Sequence, residues 1–356
     1  MTILDRYIGM ALARAYLLAA LILLPLFTLL DLIRQLEDIG VGDYGLMDAF
    51  VYEVLMMPGY LVELMPFIAL LGTISALGGL ARYSELTAMR AAGVSIWRIG
   101  LATLKTGFLF VLTVALTMEF VTPALQQIAI THQSKAMSGG DTLVERHGFW
   151  IRQDNRFINV RNIHDGLVPA DIHIFEFDPE KRQLTMYLHA DEADTSAGEQ
   201  WKYKGLILKE FKAYTVETRK EQQQTWQSYL TAKQLQVLEL PIESLSPLDL
   251  YHYVGYLEAS GQATKRFELV FWQKASMPLS IAAMIVLAFP FVFGTLRSSS
   301  AGKRTVLAAI IGISFQLLNQ LVANLGLMLD LNPLITTLGP VALILLLASL
   351  MIRRAH

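Results

Sequence analysis

Histidines and acids in the middle of the chain are the residues whose types invite chemistry. Five of the seven histidines lie in or just before one stretch, as His132, His147, His164, His173 and His189, with Asp191, Glu192 and Asp194 among them. Imidazoles and carboxylates together are what a metal site or a hydrolase would use. No two of these histidines have the i, i+4 spacing that puts both on one face of a metal-binding helix, and no Gly-x-Ser-x-Gly elbow occurs. Solvated loops and strand faces are the preferred reading, so no catalytic residue and no metal ligand is assigned. The absence of cysteine removes disulfides, zinc–thiolate sites, iron–sulfur clusters and thiol nucleophiles. Gly302-Lys303-Arg304-Thr305 looks like a phosphate loop only superficially. Arg297 stands where the upstream glycine is needed, and Arg304 where Ser or Thr would hold magnesium. No cofactor is expected on this chain.

A second polar feature is Ala81-Arg82-Tyr83-Ser84-Glu85-Leu86-Thr87-Ala88-Met89-Arg90-Ala91-Ala92-Gly93. It reads as a short amphipathic helix near 82–93, with Leu86, Met89 and Arg90 on adjacent positions and Gly93 as its stop. Physics alone leaves two roles open: a connector between larger helices, or a helix that docks into a partner's groove.

The elements that must position these residues are long and apolar. Of 356 residues 54% are hydrophobic, and the mean hydropathy is +0.43. Six stretches reach the roughly 20 apolar residues that cross a bilayer. They run from about Met10 to Ile33, Pro58 to Leu80, Ile99 to Val121, Val270 to Phe293, Val306 to Leu327 and Leu334 to Ile352. The third is expected to stop at Pro123. Basic residues gather between spans two and three (Arg82, Arg90, Arg98, Lys105), between four and five (Arg297, Lys303, Arg304) and at Arg353-Arg354. The first loop instead holds Glu37, Asp38, Asp43, Asp48 and Glu53 against Arg34 alone. Short cytoplasmic loops are enriched in Lys and Arg. Both termini are therefore expected in the cytoplasm, with the insert between spans three and four outside. The net charge of −2 argues against a nucleic-acid binder.

Within that insert, from about Leu143 to Leu240, the apolar period changes to two. Phe149 and Ile151, Ile172 and Ile174, Leu184, Met186 and Leu188, then Leu206 and Leu208 alternate with polar neighbours. This is the pattern of half-buried antiparallel strands, with Asp165-Gly166, Asp178-Pro179 and Ser196-Ala197-Gly198 as turns. A sandwich, jelly roll or open barrel is expected near 140–240. Residues 123–142 read as helix, continuing span three outward. Ser246-Pro247-Leu248-Asp249 starts another, running to Gly261, with Ser as N-cap, Pro at N1 and an acid at N3. The fold class is thus a six-helix membrane protein with an inserted all-β domain, organised as 1–122, 123–265 and 266–356.

Specific motifs add a resemblance. Leu4-Asp5-Arg6-Tyr7, Pro66 with Leu70-Leu71-Gly72, the Ser84-Glu85-Leu86…Met89-x-Ala91-x-Gly93 pattern, and Ala136-Met137-Ser138-Gly139-Gly140 follow one another in order. Gly148-Phe149-Trp150, Tyr253-Val254…Leu257…Ser260-Gly261, Trp272-x-Lys274…Pro278-Leu279-Ser280 and Phe293-Gly294-x-Leu296-Arg297-Ser298 complete the series. Together they resemble the LptF/LptG family of lipopolysaccharide-export permeases over nearly the whole chain, and the LptG branch more than the LptF branch. The resemblance implies a permease subunit of an ATP-driven transporter in the bacterial inner membrane, with a periplasmic β-jelly-roll domain. It implies a second, LptF-like permease, two copies of a cytoplasmic LptB-like ATPase that holds ATP and magnesium, an LptC-like subunit, a periplasmic bridge protein, and lipopolysaccharide as cargo. It also implies that Arg82, Ser84, Glu85, Leu86, Met89, Arg90 and Gly93 couple to that ATPase, with Glu85 facing it.

A phosphorylated lipid calls for basic residues near the outer rim and an apolar cavity below. Lys135, Lys265, Arg266 and Lys274 stand at that level, although side chains that merely snorkel to the interface are the preferred reading. Glu63, Phe67 and Glu119 are candidate cavity residues, since acids at membrane depth usually line a protein or aqueous interior. Family members often carry a basic residue where this chain has Asp31 and Gly59, which weakens a phosphate grip through span one. Two other classes fit the layout less well: a mechanotransmitting ABC subunit, and a membrane-anchored periplasmic enzyme. A homodimer is the alternative to pairing with a second permease.

Overall fold

Long apolar runs satisfy their backbone groups in lipid only by coiling into helices, and such helices frame the computed structural model. It describes residues 3–137, 149–153, 155–164, 168–178, 183–194, 200–211, 215–227, 241–259, 263–293 and 301–355. Helix α1 (Ile3–Gln35) leads to α2 (Leu46–Arg82), the short α3 (Glu85–Ala91) and α4 (Ile96–Leu116). A π-turn over Thr117–Val121 continues α4 into α5 (Thr122–Met137). Strands β1 (Phe149–Gln153), β2 (Arg156–His164), β3 (Val168–Phe177), β4 (Leu184–Asp194), β5 (Gln200–Phe211) and β6 (Val216–Gln227) follow. The chain then forms α6 (Pro247–Ala259), α7 (Lys265–Phe293), α8 (Ala301–Met328) and α9 (Pro333–Ala355). Among the described residues, six helical segments are long and apolar enough to cross a membrane.

The bundle is apolar on the outside as well as inside. Ile8, Leu12, Ile68, Leu70, Leu77 and Ile99 are fully buried, and α2 and α7 supply the longest runs of core residues. At the same time Leu17, Leu21 and Ile22 of α1, Phe108 and Leu109 of α4, and Leu317 and Leu321 of α8 are exposed. A surface of this kind matches lipid or another apolar helix rather than water. Helices α1 and α2 come close where Gly72 meets Tyr16, whose hydroxyl is 3.0 Å from Thr73 Oγ1.

The helix of the third span continues outward past Pro123, as the helical reading of the residues after it expects. A proline ring clashes with the carbonyl four residues earlier in a regular helix. Here the turn just before it widens to π geometry over Thr117–Val121, and the helix passes on to Met137. The helix expected near 82–93 is shorter. Arg82 closes α2, Ser84 takes a left-handed conformation (φ 59°), and α3 begins only at Glu85.

Six antiparallel strands make one sheet in chain order, β1 to β6. That is a meander; a jelly roll's crossovers are not among the pairings of the described residues. The alternation read from sequence is the one that packs: Ile172, Ile174, Leu188 and Leu206 share a buried cluster with Val160, Trp201 and Tyr203. The turns proposed at Asp165-Gly166 and Ser196-Ala197-Gly198, together with Pro179, His147, Gly148, Ser138-Gly139-Gly140, Ser260-Gly261 and the 294–300 loop with Arg297, lie outside the described residues.

Candidate functional site

At one end of the bundle a network of charges surrounds α3. Asp5 is 1% exposed. Its carboxylate pairs with Arg98 at 2.7 Å and Lys105 at 3.7 Å, both on α4. Two residues on, the Tyr7 hydroxyl donates to Glu85 Oε2 at 2.6 Å. The Asp5-Arg6-Tyr7 run thus fixes the start of α1 to both α4 and α3. Leu86 is buried and Met89 packs beside the same core, so these two anchor α3. Its end is a complete Schellman turn: Val94 N–H donates to Met89 C=O and Gly93 N–H to Arg90 C=O, each at 3.0 Å. Gly93 carries the left-handed φ of +87° that this turn demands. Arg82, Ser84 and Arg90 point outward, flanked by Tyr83 and Trp97, which are 73% and 79% exposed. Sequence reasoning passed over both rings; large aromatics in a polar connector were the available signal.

The candidate cavity residues at the other end are not gathered on one wall. Lys274 donates to the carbonyls of Glu243 (2.7 Å) and Leu245. Arg266 pairs with Glu243 at 3.7 Å, and Lys265 pairs with Asp330. Glu119, carried on the π-turn, accepts the Leu248 N–H at 3.4 Å. Lys274, Arg266 and Glu119 therefore tie the strand-to-membrane return, residues 242–248, to α7 and to the π-turn. That return is itself capped as its sequence predicts: Ser246 Oγ accepts the Asp249 N–H at 3.1 Å and donates to Asp249 Oδ2 at 2.9 Å. Lys135 is exposed in the last turn of α5. Glu63 is exposed on α2, and Phe67 is half-buried facing Gly312 of α8.

One acid near the same end has partners that the sequence did not reveal. Asp31 accepts from the Tyr60 hydroxyl and from Arg34 at 3.4 Å. Glu53, read from sequence as a loop acid, lies within α2 and is 1% exposed. Beside it the 39–45 loop docks on α5. Asp43 N–H donates to Ala136 C=O at 2.8 Å, and Gln133 donates to Gln35 at 2.8 Å.

In the β domain, two of the histidines meet. His173 of β3 and His189 of β4 are direct cross-strand partners. Both touch Asp171, which sequence reasoning did not single out because the juxtaposition arises from strand register. Burial opposes ionisation of Asp171, but the His189 hydrogen bond with the nearby His173 and Arg161 outweighs it and holds the carboxyl below its ordinary range. Burial likewise pushes His173 down.

Comparison with known proteins gives one consistent result. The family model described as lipopolysaccharide export system permease LptF/LptG matches residues 6–354. The chain is 34% identical over 322 residues to the lipopolysaccharide export system permease protein LptG of Haemophilus influenzae, covering 90% of each chain. It is 30% identical over 353 residues to that of Escherichia coli K12, covering 99% of this chain and 98% of the relative.

Proposed function

We propose a function that proceeds from one premise: the chain belongs to the LptF/LptG family of lipopolysaccharide export system permeases. It is a membrane permease subunit for lipopolysaccharide export, not an enzyme, and most like LptG. The observation that carries this is the family match along nearly the whole chain, on six spanning helices with an inserted β domain. An inner-membrane location follows from the same features. The basic residues at Arg82, Arg90 and Arg98 support a cytoplasmic α3 end with both termini inside, and a periplasmic β domain.

The finer reading concerns coupling and cargo. Extraction of lipopolysaccharide is driven by a separate LptB-like ATPase in two copies, which hold ATP and magnesium. The outward face formed by Arg82, Ser84 and Arg90, on the base anchored by Leu86, Met89 and Gly93, receives one copy. Glu85 supports that contact with a charge-assisted hydrogen bond to a partner arginine, exchanging its Tyr7 partner for it. A two-fold ATPase needs two such helices and this chain supplies one, which supports pairing with an LptF-like permease. Glu63 and Phe67 line the lipid path between the permeases. Lys135 is the candidate phosphate contact with no structural ion pair among the described residues, while Lys265, Arg266, Lys274 and Glu119 position the return to α7. An LptC-like subunit and a bridge protein take the lipid onward from the β domain.

Native mass spectrometry of the tagged chain, purified from its own membranes, tests the assembly. A complex with a second permease and two ATPase copies is expected, with the Glu85→Lys variant losing the ATPase. Recovery of the chain as a homodimer without ATPase would overturn the reading.

A further inference from the structure

We propose that Asp171, His173 and His189 form a transition-metal site on the β domain, suited to Zn²⁺ and to its close relatives Co²⁺ and Cu²⁺. The site lies on the sheet face opposite the apolar cluster. Ile172, Ile174, Leu188 and Ala190 point into that cluster, so the alternating positions 171, 173, 187 and 189 share the other face.

Three ligand atoms converge there. Asp171 Oδ1 is 3.0 Å from His173 Nε2 and 2.9 Å from His189 Nε2, and all three atoms lie within 4.8 Å of one another. Ligands about 2.1 Å from a common tetrahedral ion stand roughly 3.4 Å apart. The cluster approaches that arrangement by opening the two edges to Asp171 about half an ångström. Two imidazoles and one carboxylate select zinc, cobalt or copper over magnesium and calcium, which favour all-oxygen sites. The three groups are only half-buried, leaving a fourth position for water or an exchangeable ligand.

The surroundings are those of a supported ligand set. Tyr187 OH lies 2.8 Å from His173 Nδ1, fixing the ring from its far side, and Arg161 approaches Asp171 Oδ2 at 3.6 Å, leaving Oδ1 for the ion. The two imidazoles lie 4.8 Å apart between centroids, tilted by 37°. Asp171 also adopts a left-handed φ of 49°, a conformation that costs a non-glycine residue free energy and that recurs at ligand sites. Without metal, His189 Nε2–H donates to Asp171 Oδ1, while His173 Nε2 stands 3.0 Å from the same oxygen without a hydrogen bond to it, and the Tyr187 hydroxyl is hydrogen-bonded with His173 Nδ1. With metal, each neutral imidazole carries its proton on Nδ1, and Tyr187 turns its hydroxyl to accept from His173. No net proton release is required. An ion here clips β3 to β4, stiffening the middle of the sheet.

The test uses the full-length chain in detergent micelles, purified without a histidine tag and stripped with chelator. Addition of Cu²⁺ should give an electron paramagnetic resonance spectrum with nitrogen coupling from two imidazoles. Zn²⁺ should compete for it at one equivalent per chain and raise the melting temperature. His173→Gln and His189→Gln should each weaken binding by more than about ten-fold, and Tyr187→Phe by about ten-fold. Absence of two-nitrogen coupling and of stoichiometric zinc at micromolar concentrations overturns the proposal, and needs no variant. So does unchanged affinity in a folded His173→Gln/His189→Gln double variant. Because the readout is metal binding, it is independent of whether the chain exports lipid.

Discussion

The two ends of the helical bundle use charge in opposite ways. Around α3, buried Asp5 and the Tyr7–Glu85 hydrogen bond hold a rigid base, and Arg82, Tyr83, Arg90 and Trp97 stand outward from it. At the other end, Lys265, Arg266, Lys274 and Glu119 all pair with the protein's own backbone or acids. One end keeps its internal pairs so that a surface is presented; the other spends its cations on holding the β domain's return to α7. A cluster of basic residues in sequence is therefore not by itself a phosphate site, because carbonyls and acids of the same chain compete for the charge.

That contrast can be broken most strongly at Asp5. Arg98→Ala removes the 2.7 Å partner of a buried carboxylate, and should cost about 3 kcal/mol. Thermal melting of the purified chain should fall by several degrees, and an unchanged melting point would show that the pair does not hold the α3 base. At the opposite end, Lys274→Met removes two charge-assisted bonds to the Glu243 and Leu245 carbonyls, worth about 2 kcal/mol together. Limited proteolysis should then cut more readily around residues 241–248, while hydrogen exchange of Glu85–Ala91 stays as in the parent.

Smaller changes sharpen the comparison. Gly93→Ala forces a side chain into the left-handed region at a cost of about 1 kcal/mol. It should speed amide exchange at the end of α3 and lower the amount of ATPase recovered with the chain, leaving the β domain untouched. Tyr7→Phe removes a single, half-exposed hydrogen bond, and its effect on stability should be the smallest of these. Its expected signature is local: faster exchange at Glu85–Ala91 with a melting temperature close to the parent's. A large loss of stability there would mean that Tyr7 does more than hold Glu85.

Much of the fold was legible because its signals are local. Runs of apolar residues announce the spans, a period of two announces Ile172 and Ile174 as strand residues, and Ser246-Pro247-Leu248-Asp249 announces its own cap within four positions. The helix continuing the third span past Pro123 was legible too, but the π-turn over Thr117–Val121 that lets it pass was not, because that geometry depends on packing. The candidate site was legible in its anchors but not in its partners. Leu86, Met89 and Gly93 follow from helix spacing, whereas Glu85 reaches Tyr7 across 78 positions of sequence.

What the sequence determined alone was the layout: six spans, an inserted sheet, a short polar helix between the second and third spans, and membership of one permease family. Hydrophobic period and backbone chemistry act over a few residues, so they survive being read in one dimension. Only the tertiary structure decided that Lys274 serves carbonyls, that Asp5 answers Arg98, and that Asp171, His173 and His189 meet. Those contacts depend on helix placement and strand register, and a one-residue slip of β3 against β4 would put His189 on the opposite face from His173.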